Sequence, residues 1–218
     1  MGCTIQRVAD KLDSCSVIRI FPRLKKKSTI MIKKILKWVT VSFCSLLLIF
    51  GCLILISNIT PVDIDKKIVE LNSYCRMKGY NTNYGILVDY GKHSFKKRFF
   101  VVDLNNGDIV MKCLCSHGRG GESTILKGDF SNVPGSYCSS LGHYKIGRER
   151  KMYKLPAMAF ELDGLDKTNS NARSRAILLH KSFGPMSLGC VTVPLIRYNK
   201  VAELLHSQSG GVILWAYE

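Results

Sequence analysis

Acidic residues are scarce in this sequence: 16 Asp and Glu stand against 32 Lys and Arg among 218 residues, a formal net charge of +16. Charge of either sign is missing altogether from Trp38 to Val62. There is no internal repeat and no low-complexity block. No glycine-rich turn sits between a strand and a helix as a nucleotide fingerprint requires, which argues against ATP or NAD. No tight Cys and His array offers four ligands, so no metal and no cofactor is expected. The basic balance comes without a nucleic-acid motif, so that partner is not expected either.

The charge-free run WVTVSFCSLLLIFGCLILISNI is long enough to cross the hydrocarbon layer as a helix. Lys25, Lys26, Lys27, Lys33, Lys34 and Lys37 precede it and Asp63 and Asp65 follow, so the positive-inside bias places the C-terminal part outside the cytoplasm. No small-x-small site closes the run, which favours an uncleaved anchor over a removed signal. Gly51-Cys52 is a poor lipidation site, because Phe50 is bulky and LILI continues beyond it. The expected organisation is a basic cytoplasmic tail at 1–37, a transmembrane signal-anchor at 38–60, a connector at 61–82 and a domain at 83–218. Residues 1–30 carry neither apolar periodicity nor a motif, and read as a short tail or an overextended gene model. Of the net charge, residues 1–37 supply +8, from ten Lys or Arg and two Asp, which membrane orientation explains. The other +8 describes a basic exported domain suited to an anionic partner such as a cell-wall polymer.

Cys75, Cys113, Cys115, Cys138 and Cys190 fall outside the membrane segment. Their number is odd, so at least one stays free or pairs with another molecule, in a compartment that tolerates disulfides. Cys138 has Cys75, Cys113 and Cys115 as candidate partners. Cys113-Leu114-Cys115 is too tight for a CxxC redox motif, which makes thiol oxidoreductase a minor alternative.

KKIVELNSYCRMKG reads as a helix, and YGILVDY, RFFVVDL and IVMKCLC read as strands, with Asn105-Asn106-Gly107 as a tight hairpin turn. GHYKIG, MYKLPAMAFELDG, RAILLH and GVILWAYE supply further extended pieces. RYNKVAELLHSQ places Val201, Leu204 and Leu205 on one helix face. The fold expected is mainly β with a few short helices.

Within ILLHKSFGPMSLGCVTVP, Cys190 is the best nucleophile candidate. Gly189 relieves crowding beside it, and the amides of Leu188, Gly189 and Cys190 are candidates to face an acyl oxyanion. The bland alternative is a buried cysteine. His180 ends a strand, and the loop from Lys181 to Leu188 turns the chain back towards it, making it the candidate base. A satisfied interfacial histidine is the competing reading. His117, in SHGRGG, is a second candidate base or a shaper of the cleft, while His93, His143 and His206 read as structural or surface groups. Arg119, Arg173 and Arg175 are candidates to hold substrate carboxylates. Asp163 and Asp166 read as loop-orienting groups, Asn171 as a cap, and Ser187 as a local hydrogen-bonding partner of the cysteine loop.

Taken together, SHGRG, FSNVPGSYCSSLGHYKIG, ELDGLDKTNSNARSRAILLH and SLGC resemble the catalytic-domain-like branch of the YkuD family, the murein L,D-transpeptidases, over residues 83–218. The resemblance implies a mainly β catalytic domain in which Cys190 attacks a peptide carbonyl and His180 is its base. It places Ser187 and Gly189 in the cysteine loop, and it matches His117 to an SHG segment without assigning it a role. Where the family pattern has SHGC this chain has SLGC, with Leu188 replacing the histidine, and no arginine follows in the usual place. The implied substrate is a peptidoglycan stem tetrapeptide with a diamino-acid centre. Attack before its terminal D-alanine would form an acyl-enzyme that an amine resolves into an L,D cross-link, whereas water would give carboxypeptidase activity. The remaining alternative is a non-catalytic, membrane-anchored wall-binding domain.

Overall fold

A computed structural model of the protein describes residues 14–59, 64–153 and 155–218, with side chains described from Met31 to Leu53 and from Ile64 onward. The expectations for residues 1–13 and for the link at 60–63 lie outside this part. The chain divides into two units, at Met1–Leu53 and Ile54–Glu218.

Helix α1 runs Ser14–Ile59, all but its last six residues in the first unit. It starts well before the apolar run, through a segment with no apolar periodicity. Its stretch Met31–Leu53 has mean hydropathy 2.0 and none of it is buried. At 1.5 Å per residue those 23 residues extend about 34 Å, matching a hydrocarbon core of about 30 Å. Trp38, Phe43, Leu46 and Leu48 are all exposed, as suits side chains that meet lipid.

The second unit is mainly β. Helix α2 (Asp65–Lys78) is followed by strands β1 (Tyr84–Asp89), β2 (Phe99–Asp103), β3 (Ile109–Cys113), β4 (Gly142–Lys151), β5 (Met158–Gly164), β6 (Leu178–Lys181) and β7 (Val191–Val193). Helix α3 (Leu195–His206) and strand β8 (Ile213–Tyr217) complete it. All eight strands form one sheet in the order β3-β2-β1-β8-β4-β5-β6-β7. The segment after β3 reaches the far edge through bridges Ser116↔Thr192 and Gly118↔Ser187, so the sheet nearly closes into a barrel. Closure hides the strand edges that an open sheet would leave available for pairing.

Strand alternation sorts the core into two clusters. Ile86, Val88, Phe99, Val101, Leu162, Leu179, Val191 and Val193 point inward with Val201 of α3. Leu87, Phe100, Val102 and Ile213 point the other way and meet Ile68, Leu71 and Cys75 of α2. Fully burying one such Leu or Ile contributes about 2 kcal/mol, so the three-residue face of α2 suffices to dock it. The β2–β3 hairpin forms as expected: Gly107 takes φ +81°, a left-handed turn that glycine enters without steric cost, and its N–H donates to Asp103 O at 2.9 Å.

Two features position the site. Strands β6 and β7 run parallel, pairing Leu179↔Val191 and His180↔Thr192, so the chain from Ser182 to Cys190 crosses back to the start of β6. The three-residue strand β7 is not among the extended pieces expected from the sequence, being too short to show a period. The second feature is a row of register partners, Arg150↔Ala159 and Ala159↔His180, which joins β4 to β6 across β5.

Candidate functional site

Leu179 and Val191 face the core, so Leu178, His180, Cys190 and Thr192 share the opposite face. Extending the β6–β7 register sets Cys190 beside Leu178, two residues from His180. Strand spacings then put the Cα atoms of His180 and Cys190 about 8 Å apart. The two residues are brought onto one face of neighbouring strands, and among the described residues no hydrogen bond joins their side chains.

His180 is buried, and its Nδ1 lies 2.7 Å from Lys181 O. A carbonyl only accepts, so Nδ1 carries the proton and Nε2 is left with its lone pair. Burial holds the ring's pKa below its usual value, partly offset by that carbonyl, and Phe183 packs against it at 5.7 Å between centroids. Cys190 is half-buried, with Sγ 3.8 Å from Ala176 O. Burial pushes its thiol pKa up, while a backbone hydrogen bond from Leu178 and the Arg175 charge pull the other way. The pair therefore rests as neutral thiol and neutral imidazole.

The thiol lines a cleft of about 620 Å³ whose walls include Tyr137, Arg150, Tyr153, Arg175, Leu178 and Leu188. Tyr137 and Ala176 both hold positive φ, 56° and 52°, conformations uncommon outside glycine and here gathered on one cleft. Gly189 has φ +109°, and a Cβ there would meet Cys138 O at 2.8 Å, so no other residue fits before the cysteine without strain. Ser187 ties the loop together: its hydroxyl donates to Cys190 O at 2.7 Å and accepts from Gly189 N at 3.1 Å. Of the three amides proposed for an oxyanion, Gly189 N–H is thus engaged, while Leu188 and Cys190 have no acceptor among the described residues.

The other sequence candidates are distributed as follows. His117 is fully buried: Nε2 donates to Thr124 O at 2.9 Å, and Nδ1 accepts from Arg98 Nη2 at 2.7 Å. Desolvation and the Arg98 charge keep its pKa low. It braces the glycine-rich segment from inside and presents no surface to a ligand. Arg175 binds Ser131 O and Ser140 Oγ through Nη1, and Ser136 Oγ and Cys138 O through Nη2, which pins the wall behind Cys190. Arg173 is engaged by Glu161 at 2.8 Å and Asp163 at 3.1 Å. Arg119 is exposed, with its guanidinium 5.9 Å from the Tyr137 ring. Asn171 bonds Asn132, and Asp166 caps the short turn at Lys167–Asn169 while accepting from His143 Nδ1 at 2.8 Å.

No disulfide forms among the described cysteines: Cys75, Cys113, Cys115, Cys138 and Cys190 are all free. Cys138 therefore lacks the partner the sequence suggested. Cys113 belongs to the barrel core and Cys75 to the cluster under α2, so opposite faces of the sheet hold them. Burial pushes Cys113 up to about 12 and Cys115 up to about 11, which disfavours the thiolate that redox exchange needs. Among the described residues no group of His, Cys, Asp and Glu is placed to hold a metal.

Three participants were not nominated from the sequence. The Lys181 carbonyl is backbone and leaves no trace in residue identity. Arg150 looks like one more surface cation of β4. Arg98 ends the basic run KHSFKKR yet is fully buried, donating to Cys115 O at 2.9 Å and to Ser94 Oγ at 3.0 Å; its only hint is the apolar FFVV that follows.

The family described as L,D-transpeptidase catalytic domain matches residues 58–217. Among solved structures, the chain is similar to an L,D-transpeptidase segment from Xylanimonas cellulosilytica, at 14% identity and TM-score 0.40 over 66% of this chain and 68% of that one. It is also similar to an L,D-transpeptidase from Mycobacterium smegmatis, at 13% identity and TM-score 0.40 over 62% of this chain and 59% of that one. An L,D-transpeptidase from Mycobacterium tuberculosis gives 12% identity and TM-score 0.39, over 62% and 58%. The chain matches none of the curated proteins.

Proposed function

The chain belongs to the L,D-transpeptidase catalytic-domain family, and on that premise we propose that it is a cysteine acyltransferase acting on peptidoglycan stem peptides. Cys190 is the nucleophile and His180 its base. The observation that carries this reading is the hydrogen bond from His180 Nδ1 to Lys181 O, which leaves Nε2 free to accept a proton on the face that Cys190 shares. A backbone carbonyl here does the orienting work that a carboxylate does in other triads.

When a donor peptide enters the cleft, Sγ turns from Ala176 O towards Nε2 and passes its proton there as it bonds to the carbonyl carbon. The amides of Leu188 and Cys190 stabilise the oxyanion. The imidazolium returns its proton to the departing amine of D-alanine, which leaves a thioester on Cys190. An amine of a second stem peptide then attacks the thioester, gives its proton to His180 and displaces the thiol to form the L,D cross-link. Water in the same position would release the shortened peptide instead. Arg119, exposed beside Tyr137, is the sequence candidate still free to meet substrate carboxylates.

The basic domain suits an anionic wall polymer, and α1 serves as a membrane anchor with the domain outside the cytoplasm. Incubating the full chain in detergent with synthetic stem tetrapeptides tests the chemistry. Intact-mass analysis is expected to show an acyl adduct on wild type, with free D-alanine, and neither with Cys190→Ala. Peptide binding without adduct or D-alanine would establish the wall-binding module instead.

A further inference from the structure

Arg150 and Arg175 line the cleft, Arg119 stands by its wall residue Tyr137, and Arg148 and Arg173 share the carboxylate that Arg150 meets; the five differ in what holds them. Arg175 is bound by four protein oxygens and Arg173 by two carboxylates. Arg119 stands against Tyr137, and Arg148 is largely exposed, with Nε 3.6 Å from Glu161 Oε2. Arg150 differs from all of them. Its Nε sits 2.8 Å from Glu161 Oε1, and neither terminal amino group has an acceptor among the described residues. Buried Glu161 is approached by Arg148, Arg150 and Arg173 together, and Asp163 meets only Arg173, so two carboxylates serve three cations and leave one positive charge uncompensated. Arg150 is also part of the wall of the Cys190 cleft, and none of the described residues lining that cleft is Asp or Glu.

The geometry points to Arg150 as the residue that reads a free carboxylate on the donor peptide. The ion pair with Glu161 holds the guanidinium at its Nε edge without satisfying that N–H by a hydrogen bond, and it leaves both terminal amino groups of this cleft-lining residue for a planar carboxylate to take. Position follows from the register row Arg150↔Ala159, Ala159↔His180, His180↔Thr192. Three strand spacings and the offset to Cys190 separate the Cα atoms of Arg150 and Cys190 by about 15 Å. The guanidinium is held at Glu161, which pairs with Leu178 beside Cys190, so it lies about two strand spacings, ~10 Å or roughly two to three extended residues, from the cysteine. The carboxylate it reads is therefore about two residues along the donor from the attacked carbonyl, and is not the carboxylate of the residue that leaves. This assignment rests on the functional reading above and adds to it a selection of free over amidated stem peptides.

The test uses the full chain in detergent and a set of synthetic tetrapeptide donors, each with one carboxylate converted to a carboxamide, with the rate of Cys190 acylation read by intact mass. Wild type is expected to lose about 10-fold in acylation kcat/KM when the carboxylate two residues from the attacked bond is amidated. Arg150→Gln should acylate slowly with the free donor and no longer distinguish the two. Arg150→Lys, which keeps the charge without the fork, should recover only part of the difference. Thermal melts of both variants show whether Glu161 is held by Arg148 and Arg173 alone. Equal rates for wild type with all donors, a preference that survives Arg150→Gln in a folded protein, or a preference confined to the leaving residue would each overturn the assignment while leaving the acyltransferase standing. Absence of acylation with every donor takes down the functional reading, and the assignment with it.

Discussion

His117 lies just beyond β3 and His180 within β6 of the same sheet, and both are buried with their pKa held low by desolvation, yet their ring nitrogens are bonded in opposite ways. His117 has both ring nitrogens engaged, with its proton on Nε2 and its acceptor nitrogen filled by the Arg98 guanidinium. His180 has its proton fixed on Nδ1 by Lys181 O, and its acceptor nitrogen has no partner among the described residues. A histidine with every position satisfied is a strut, whereas one held by a single bond is available for proton transfer. Burial and pKa alone would not have told them apart.

The sharpest break in this comparison is Cys190→Ala, which is expected to abolish the acyl adduct while leaving the thermal melt nearly unchanged. Next comes the exchange of the histidines. His180→Gln should lower acylation kcat/KM by about 10²–10⁴-fold, with little change in stability. His117→Ala should do the reverse: it leaves the buried Arg98 short of an acceptor and opens a void, a loss of about 2–4 kcal/mol in urea unfolding, with the folded fraction still able to acylate. Equal losses of activity and stability in both variants would erase the distinction.

The pH dependence sharpens it further. Acylation through neutral His180 should rise with pH through a midpoint below 6.5 and stay level until the Cys190 thiol titrates above 9. A resting thiolate and imidazolium pair would instead give a bell whose acid limb is a lowered thiol pKa and whose alkaline limb is a raised histidine pKa. Stability has its own signature. Both histidines bind protons more weakly folded than unfolded, so the unfolded chain takes up more protons as pH falls below about 6.5. Unfolding free energy should therefore decrease with falling pH in that range, and His117→Ala should flatten the slope. The smallest effect belongs to Ser187→Ala. Losing its bonds to Cys190 O and Gly189 N should cost about 1–2 kcal/mol of loop stability and lower kcat more than it raises KM.

Much of this was legible in the residues. The apolar helix, the Asn105-Asn106-Gly107 hairpin, both short helices and most strands carry periods or turn residues that local sterics impose. The nomination of His180 and Cys190 came from residue type and from the resemblance to the family. Less legible was which arginine does what. Arg173 and Arg175 stood out by standing before His180, and both prove to be held by protein oxygens, while Arg150 lies on β4, some forty residues from the cysteine. The sequence left open which of Cys75, Cys113 and Cys115, if any, pairs with Cys138, and all four are free, because spacing along a chain says nothing about which face of a sheet a thiol occupies.

By itself the sequence determined most of the elements and the long apolar helix, because hydrophobic period and glycine placement act over a few residues. Only the tertiary structure decided which histidine has both ring nitrogens filled and which keeps one open, that the cysteine loop returns to a parallel neighbour of β6, and that one guanidinium keeps an open fork. Those outcomes depend on hydrogen-bond satisfaction among groups far apart in the chain, and a donor's partner is settled only when the sheet closes around it.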